Sequence, residues 1–392
     1  MRTLIKNEAA DILVDGELIA GVGRNLPVPE GAEVIDATGM IVLPGFVDTH
    51  RHTWQTGLRA LDPDITIGQY IQRVLGGIGP RFRPEDVRVA NLAGALEALD
   101  AGITTVVDWS HLHSTPEHTD AALDGFRQAG IRTVLGYAGD DARRVRDSLS
   151  GNLITMAIAA NGPVIAGEAA ALREWQTARE LGLRVTGHLG ADPVIDFMTE
   201  HGFLDIPTNH VHGIGYSDEA LKRIADSGGS VALSPLSEMA LGSGYPITGR
   251  ARAAGIPTGL AIDTVIAGAG DMFTMMRGAH ALERGRSGPG FTVRDALRMA
   301  TIEGAEAMGL DGVTGSIEVG KQADLVLLRT DRAGMAGAHD NVGLVVHNAE
   351  TRDVDTVLVA GRVVKRDGRL LHHDLGAVFT ALAASGRYVA EL

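Results

Sequence analysis

The stretch VLPGFVDTHRHTWQTGLRAL, Val42 to Leu61, places two histidines, His50 and His52, one residue apart at the end of an apolar run. In a strand, residues i and i+2 face the same side, so both imidazoles can point to one spot while Arg51 points away. Two imidazoles aimed at one point suit Zn2+ or Fe2+. The pair alone is a weak signal that fits two surface or hydrogen-bonded histidines better, so its meaning depends on what else ends nearby. His188 closes the apolar run LRVTGHLG, His212 closes NHVHG, and Asp263 closes PTGLAID. Five potential ligands at strand ends are hard to obtain by chance, and barrel enzymes keep their active sites at the C-terminal ends of their strands.

The elements that must carry these residues alternate in type. Short apolar runs ending in polar residues recur at 45–50, 102–111, 131–139, 153–162, 183–190, 209–213, 230–238 and 257–263, and eight is the barrel number. Helical patterns fill the gaps. One opens at Pro84, carries Glu85 and Asp86 in its first turn and stops at Gly102. Another begins at a capping Ser217, buries Leu221 and Ile224 and ends at Gly228. Strand and helix in alternation imply parallel strands with right-handed crossovers. A (β/α)8 barrel over residues 45–315 is the simplest closure, with a doubly wound open sheet as the alternative.

Both termini read differently. Asp15-Gly16, Ala360-Gly361 and Asp367-Gly368 sit between apolar runs, a hairpin signal. Residues 1–44 and 316–392 are therefore expected to form a two-piece β-sandwich beside the barrel. A chain of 392 residues has room for both.

Composition narrows the function classes. A formal net charge of −14 leaves no basic excess to neutralise phosphates, which argues against a nucleic-acid partner and for a small-molecule substrate. There is no cysteine, so disulfides, thiolate metal sites and cysteine nucleophiles are excluded. No apolar stretch reaches the roughly 18 residues of a membrane span, and the N-terminus lacks a leader-like apolar region, so a cytoplasmic protein with no membrane partner is expected.

The order H-x-H, His, His, Asp on strands one, five, six and eight, introduced by LPGFVDTHRH, resembles the amidohydrolase superfamily. GSIEVGKQADLVLL resembles the stretch by which its cytosine deaminase and triazine hydrolase branch returns from barrel to sandwich. The similarity spans essentially the whole chain, including DILVDGELIAGVG and DTVLVAGRVV. The resemblance implies that His50, His52 and His188 ligate a divalent metal, with Asp263 completing the site and accepting a proton. It places His212 beside the metal-bound water or the substrate. A homodimer or higher homo-oligomer is a further implication. Binuclear relatives bridge two ions through a lysine or glutamate on strand four, and LITMAIAANGP offers neither. One Zn2+, with Fe2+ as the alternative, is expected.

One feature departs from that pattern. Deaminases of this branch carry a glutamate three residues after the strand-five histidine, where this chain has Ala191. Asp192 and Glu238 are the candidate replacements for acid/base work. Asp192 fits a helix cap equally well, and Glu238 fits a pair with Arg250 or Arg252. Further along the rim, His111 and His113 lie just beyond strand two, where one could bond a substrate carbonyl or both could cap the next segment. Trp54 and Gln55 could stack on and hydrogen-bond a planar ring, or pack beneath a loop. Tyr70, Arg81 and Arg83 fall in a segment that covers the substrate in relatives, although a solvated surface role suits each of them better. Met272, Met275 and Met276 have the spacing of a core stripe.

These readings lead to metal-dependent hydrolysis of a C–N bond in a small cyclic substrate, by deamination or by amide or amidine hydrolysis. A metal-assisted lyase, dehydratase or isomerase is the second reading, motivated by Ala191. A barrel that has lost activity and serves as a binding scaffold is the third.

Overall fold

The computed structural model describes residues 2–391. Eight parallel strands form one sheet in sequence order: β1 (Phe46–Arg51), β2 (Ile103–Trp109), β3 (Arg132–Tyr137), β4 (Ile154–Ala160), β5 (Val185–Gly187), β6 (Thr208–Val211), β7 (Ser230–Leu233) and β8 (Thr258–Leu260). Each corresponds to one of the eight apolar runs. β7 is shorter than its run because Pro235 opens a helix, Pro235–Ala240, where proline at the first helical position costs no hydrogen bond.

The barrel closes between β1 and the segment after β8. Thr49 Oγ1 donates to the Leu260 carbonyl at 2.9 Å, and the Ile262 amide donates to Asp48 at 3.0 Å. The Asp263 amide then donates to the His50 carbonyl at 2.9 Å, and the His52 amide to the Asp263 carbonyl at 2.7 Å. Glycine at 259 is what permits this approach, because a methyl group there would overlap the Thr49 side chain. The seam matters for function: it places His50, His52 and Asp263 side by side.

The two helices read from sequence form with the expected ends. One spans Pro84–Asp100 with Glu85 and Asp86 in its first turn, and Gly102 beyond it has φ 81°. The other spans Asp218–Asp226, and Ser217 accepts from the Ala220 amide. Met272, Met275 and Met276 are fully buried on the helix Met272–Ser287.

Strands from both ends of the chain build two further sheets. Leu18–Gly23, Asp11–Asp15, Arg2–Lys6 and Glu33–Asp36 form one, in that order. Arg369–Leu370, Arg362–Arg366, Val354–Val359, Leu325–Arg329 and Met40–Pro44 form the other. Ile5, Ile12 and Ile19 of the first share a core with Leu325, Leu327 and Leu358 of the second. The Ala360-Gly361 and Asp367-Gly368 turns have positive φ at both central residues, as the hairpin signal requires. A buried ion pair, Arg132 Nε to Asp324 Oδ2 at 2.7 Å, ties β3 to this sandwich. The sheets end at Leu370. Beyond them a helix, Leu375–Glu391, packs on the barrel helix Pro84–Asp100. Among the described residues no helix is long and apolar enough to cross a membrane.

Candidate functional site

β1 delivers His50 and His52 to the C-terminal mouth of the barrel, and the alternation of the strand sends Arg51 the other way. Arg51 is buried against the helix behind it, 2.6 Å from Glu97 and 3.7 Å from Asp48. His188 lies one residue past β5 and His212 one residue past β6. Two overlapping triads result. His50, His188 and His212 offer ring nitrogens within 4.8 Å of one another, and so do the ligand atoms of His50, His52 and Asp263. His50 belongs to both and lies at the centre, with ring centroids 4.6 Å from His52, 4.8 Å from His188 and 5.6 Å from His212. The geometry therefore groups His212 with the other histidines as closely as it groups Asp263.

The residues fit a divalent metal on three counts. His50 is fully buried, yet among the described residues neither of its ring nitrogens has a hydrogen-bond partner, a costly state for polar atoms unless a ligand takes them up. Asp263 Oδ1 lies 3.5 Å from His50 Nε2 and 3.3 Å from His52 Nε2. Tetrahedral donors at the usual zinc distance are about 3.4 Å apart. Burial, reinforced by the neighbouring rings, holds His50 and His188 well below the ordinary imidazole pKa. Burial also lowers His52, although Asp263 and the Trp109 carbonyl oppose the shift. Neutral imidazoles are the form that ligates.

His52 donates its Nδ1–H to the Trp109 carbonyl at 2.6 Å, which leaves Nε2 as the donor atom. Trp109 was not among the residues singled out from sequence. Its ring also packs edge-on against His188, with centroids 4.5 Å apart. Asp48 and Asp108 were likewise passed over. Burial pushes Asp48 up to about 7 and Asp108 up to about 6. Asp48 accepts from the Ile262 amide across the seam, and Asp108 accepts from the Thr53 amide at 3.2 Å. The Asp two positions before His50 was the available signal.

Both His212 and Asp263 have positive φ, 65° and 66°. For a non-glycine residue this stores roughly 1–3 kcal/mol of strain, a feature that gathers at functional sites. The Gly213 amide bonds the Val211 carbonyl at 2.8 Å, closing a three-residue turn around His212. His212 Nδ1–H donates to Glu238 Oε1 at 3.0 Å. Burial is the largest single influence on this ring and disfavours its charge, but the Glu238 hydrogen bond and the charges of Asp263 and Glu238 outweigh it and raise the pKa.

The other nominated residues divide. Glu238 is buried at the site and is not taken by arginine: Arg250 pairs with Asp218, and Arg252 with Asp295 and Glu303. Asp192 is committed elsewhere. Its Oδ1 accepts from the Ser217 amide at 2.9 Å, and hydrogen bonds from Ser217 hold its pKa below the usual carboxylate value, which suits a brace between helices and not an acid. His111 joins the cluster, its ring 4.6 Å from His52 and its buried Nδ1 unpartnered. His113 turns away and pairs with Thr119 at 2.9 Å.

Of the two readings open for Trp54 and Gln55, substrate contact or packing beneath a loop, the structure has both residues as internal supports. Trp54 is fully buried among Leu58, Tyr70, Val74 and Phe82, because the segment that follows β1 folds over it. Gln55 uses both ends of its amide, donating to Tyr70 and accepting from Thr264, each at 2.6 Å. Arg81 donates to the Val389 carbonyl at 3.4 Å, and Arg83 caps its own helix through Asp86 while stacking on Tyr388. The covering segment includes an eight-residue π-helix, Ile71–Ile78, and the Ile67 amide fastens it to the Leu241 carbonyl at 2.8 Å. Extended π-helix is rare and often marks a functional site.

A closed parallel barrel that gathers neutral histidines and an aspartate at its C-terminal rim, beside a two-sheet sandwich, has the architecture of a metal-dependent hydrolase. A family model described as the amidohydrolase family matches residues 41–364, and the chain belongs to that family. A protein from Desulforudis audaxviator named 5-methylthioadenosine/S-adenosylhomocysteine deaminase is 29% identical over 437 residues, covering 100% of each chain. A protein of the same name from Halobacterium salinarum is 30% identical over 406 residues, covering 94% of this chain and 91% of its own. Among solved structures, an atrazine chlorohydrolase from Arthrobacter aurescens TC1 complexed with zinc superposes with a TM-score of 0.88 at 23% identity, covering 98% and 100% of the two chains. An adenosine deaminase from Xanthomonas campestris with bound zinc gives 0.88 at 22% identity, covering 100% and 99%. The structural likenesses establish a shared fold.

Proposed function

We propose that the protein is a zinc-dependent aminohydrolase that removes an exocyclic amino group from a small nitrogen heterocycle, with aminopurine nucleosides as the first substrate class. The observation that carries this reading is the buried, unpartnered His50 at the meeting point of His52, His188 and Asp263. The names of the two full-length relatives, and the zinc-bearing deaminase of like fold, support the chemistry and the substrate class.

In this reading His50, His52, His188 and Asp263 hold one metal ion. When bound, zinc supplies Lewis acidity and makes water a nucleophile near neutral pH. The protein's own residues do the rest. Trp109 fixes the His52 tautomer so that Nε2 faces the site. An Asp263 carboxylate oxygen takes a proton from the attacking water and returns it to the departing nitrogen, so that water and an amino compound become a carbonyl and ammonia. His212 presents Nε2 to the same space, since its Nδ1 is occupied. His111, whose buried Nδ1 has no partner among the described residues, bonds the substrate ring in this reading. Trp54, Phe82 and the segment over them keep bulk water out.

Zinc-loaded protein screened against adenosine, 5-methylthioadenosine, S-adenosylhomocysteine and aminated triazines tests the proposal by ammonia release. Turnover of one class is the expected result, and a blank screen contradicts it. Ala191, where a proton-carrying glutamate is absent, keeps a lyase or isomerase reading in view. A reaction in H2(18)O separates the two, because only hydrolysis places solvent oxygen in the product.

A further inference from the structure

We propose that Glu238 is a positioning residue for catalysis: its buried carboxylate holds His212 with Nδ1–H toward itself and Nε2 toward the histidine cluster. The inference rests on the aminohydrolase reading and adds a residue to it.

His212 needs an external guide. β6 ends at Val211, and the three-residue turn that follows gives His212 a φ of 65°. The strand alternation that directs His50 and Arg51 to opposite sides no longer applies there. The Glu238 carboxylate supplies the missing constraint. Its Oε1 accepts from His212 Nδ1 at 3.0 Å and from the Ser234 amide at 2.9 Å, while the Glu238 amide bonds the Ser234 carbonyl at 2.9 Å. The carboxylate is thus fixed by the first turn of its own helix before it touches His212.

Chemistry then dictates the tautomer. A carboxylate oxygen that already accepts from the Ser234 amide serves as an acceptor, so the facing nitrogen is the one that carries the proton. Nε2 is left as the free nitrogen of a residue that lies within 4.8 Å of donor atoms on His50 and His188. Arg250 and Arg252 do not compete for the Glu238 carboxylate. Both are engaged by other carboxylates, and Glu238 Oε2 is buried without a partner among the described residues. Among the described residues the carboxylate bonds His212 and the Ser234 amide. Carboxylates that orient histidines in this way at metal centres set ring direction and basicity.

The experiment uses zinc-loaded protein and the variants Glu238→Gln and Glu238→Ala, with kcat and KM, zinc content and the ring 15N signals of His212 measured on each. His212 signals are assigned by their loss in His212→Asn. The expected wild-type ring is the Nδ1–H form. Glu238→Ala is expected to lose that form and about tenfold to a hundredfold in kcat, with KM and zinc content little changed. Glu238→Gln, whose amide oxygen can still accept from Nδ1–H, is expected to recover most of the ring signature and part of kcat. A wild-type ring with no proton on Nδ1 overturns the proposal, as does a Glu238→Ala variant whose His212 signals match the wild type, whatever its kcat. If no substrate is found, the aminohydrolase reading fails while the ring signals still decide the role of Glu238.

Discussion

His52 Nδ1 lies 2.6 Å from the Trp109 carbonyl, and the same ring places Nε2 3.3 Å from Asp263 Oδ1. One imidazole thereby links β1 to β2 through one nitrogen and to the end of β8 through the other. The position of this ring is thus fixed from both sides by the barrel's own backbone and seam.

Asp263 has two duties in this account, as ligand and as proton acceptor. Asp263→Asn keeps the side-chain shape but removes the base, and it is expected to lower ammonia release by about 10²–10⁴-fold. His188→Ala should instead lose zinc, measured by elemental analysis. Full activity in Asp263→Asn would remove it from the proton path.

The seam between β1 and β8 is expected to be sensitive to one methyl group. Gly259→Ala sets a Cβ against Thr49, whose hydroxyl bonds the Leu260 carbonyl. Overpacking of this kind costs roughly 1–3 kcal/mol, readable as a lower urea midpoint. Because the seam aligns His50 with Asp263, zinc affinity should fall along with stability. A variant with unchanged midpoint and affinity would show that the seam is looser than described.

Stability should decline in mild acid through two histidines outside the proposed ligand set. Burial lowers His113 to about 4 and His210 to about 3. A base whose folded pKa lies below its unfolded value, about 6.5, stabilises the fold above that value and loses the contribution as pH falls. Between pH 6.5 and 4 the unfolded chain binds more protons, so unfolding becomes easier. For His113 the loss by pH 4 is of order 3 kcal/mol. His113→Asn should flatten the dependence of unfolding free energy on pH over this window. An unchanged slope would mean that His113 is not buried neutral.

Strand ends were legible because each barrel strand is buried on both faces and reads as an apolar run that stops at a polar residue. That local signal sufficed to nominate His50, His52, His188, His212 and Asp263 without coordinates. What crosses between strands was harder to read. The Glu238–His212 bond joins residues 26 apart, and it depends on the register of β6 against β7 and on the helix that Pro235 starts. Trp54 and Gln55 were ambiguous for a related reason. Their surroundings are set by a segment, Thr53 to Arg81, that folds back over them, and local composition does not say whether an aromatic ring faces a core or a ligand. The final helix, Leu375–Glu391, lay in a region expected to be sheet. It packs on the barrel helix Pro84–Asp100, nearly 300 residues earlier in the chain, through a buried strip that includes Ser385, Gly386 and Val389.

The central claim is that His50, His52, His188 and Asp263 share one divalent ion. Anomalous diffraction at the zinc edge, from crystals of protein grown with zinc, tests it most directly. The account predicts a single strong peak within coordinating distance of Nε2 of His50 and His52, a ring nitrogen of His188 and an Asp263 oxygen. A zinc-replete crystal with no peak there, or with the ion held by residues outside this set, would contradict it.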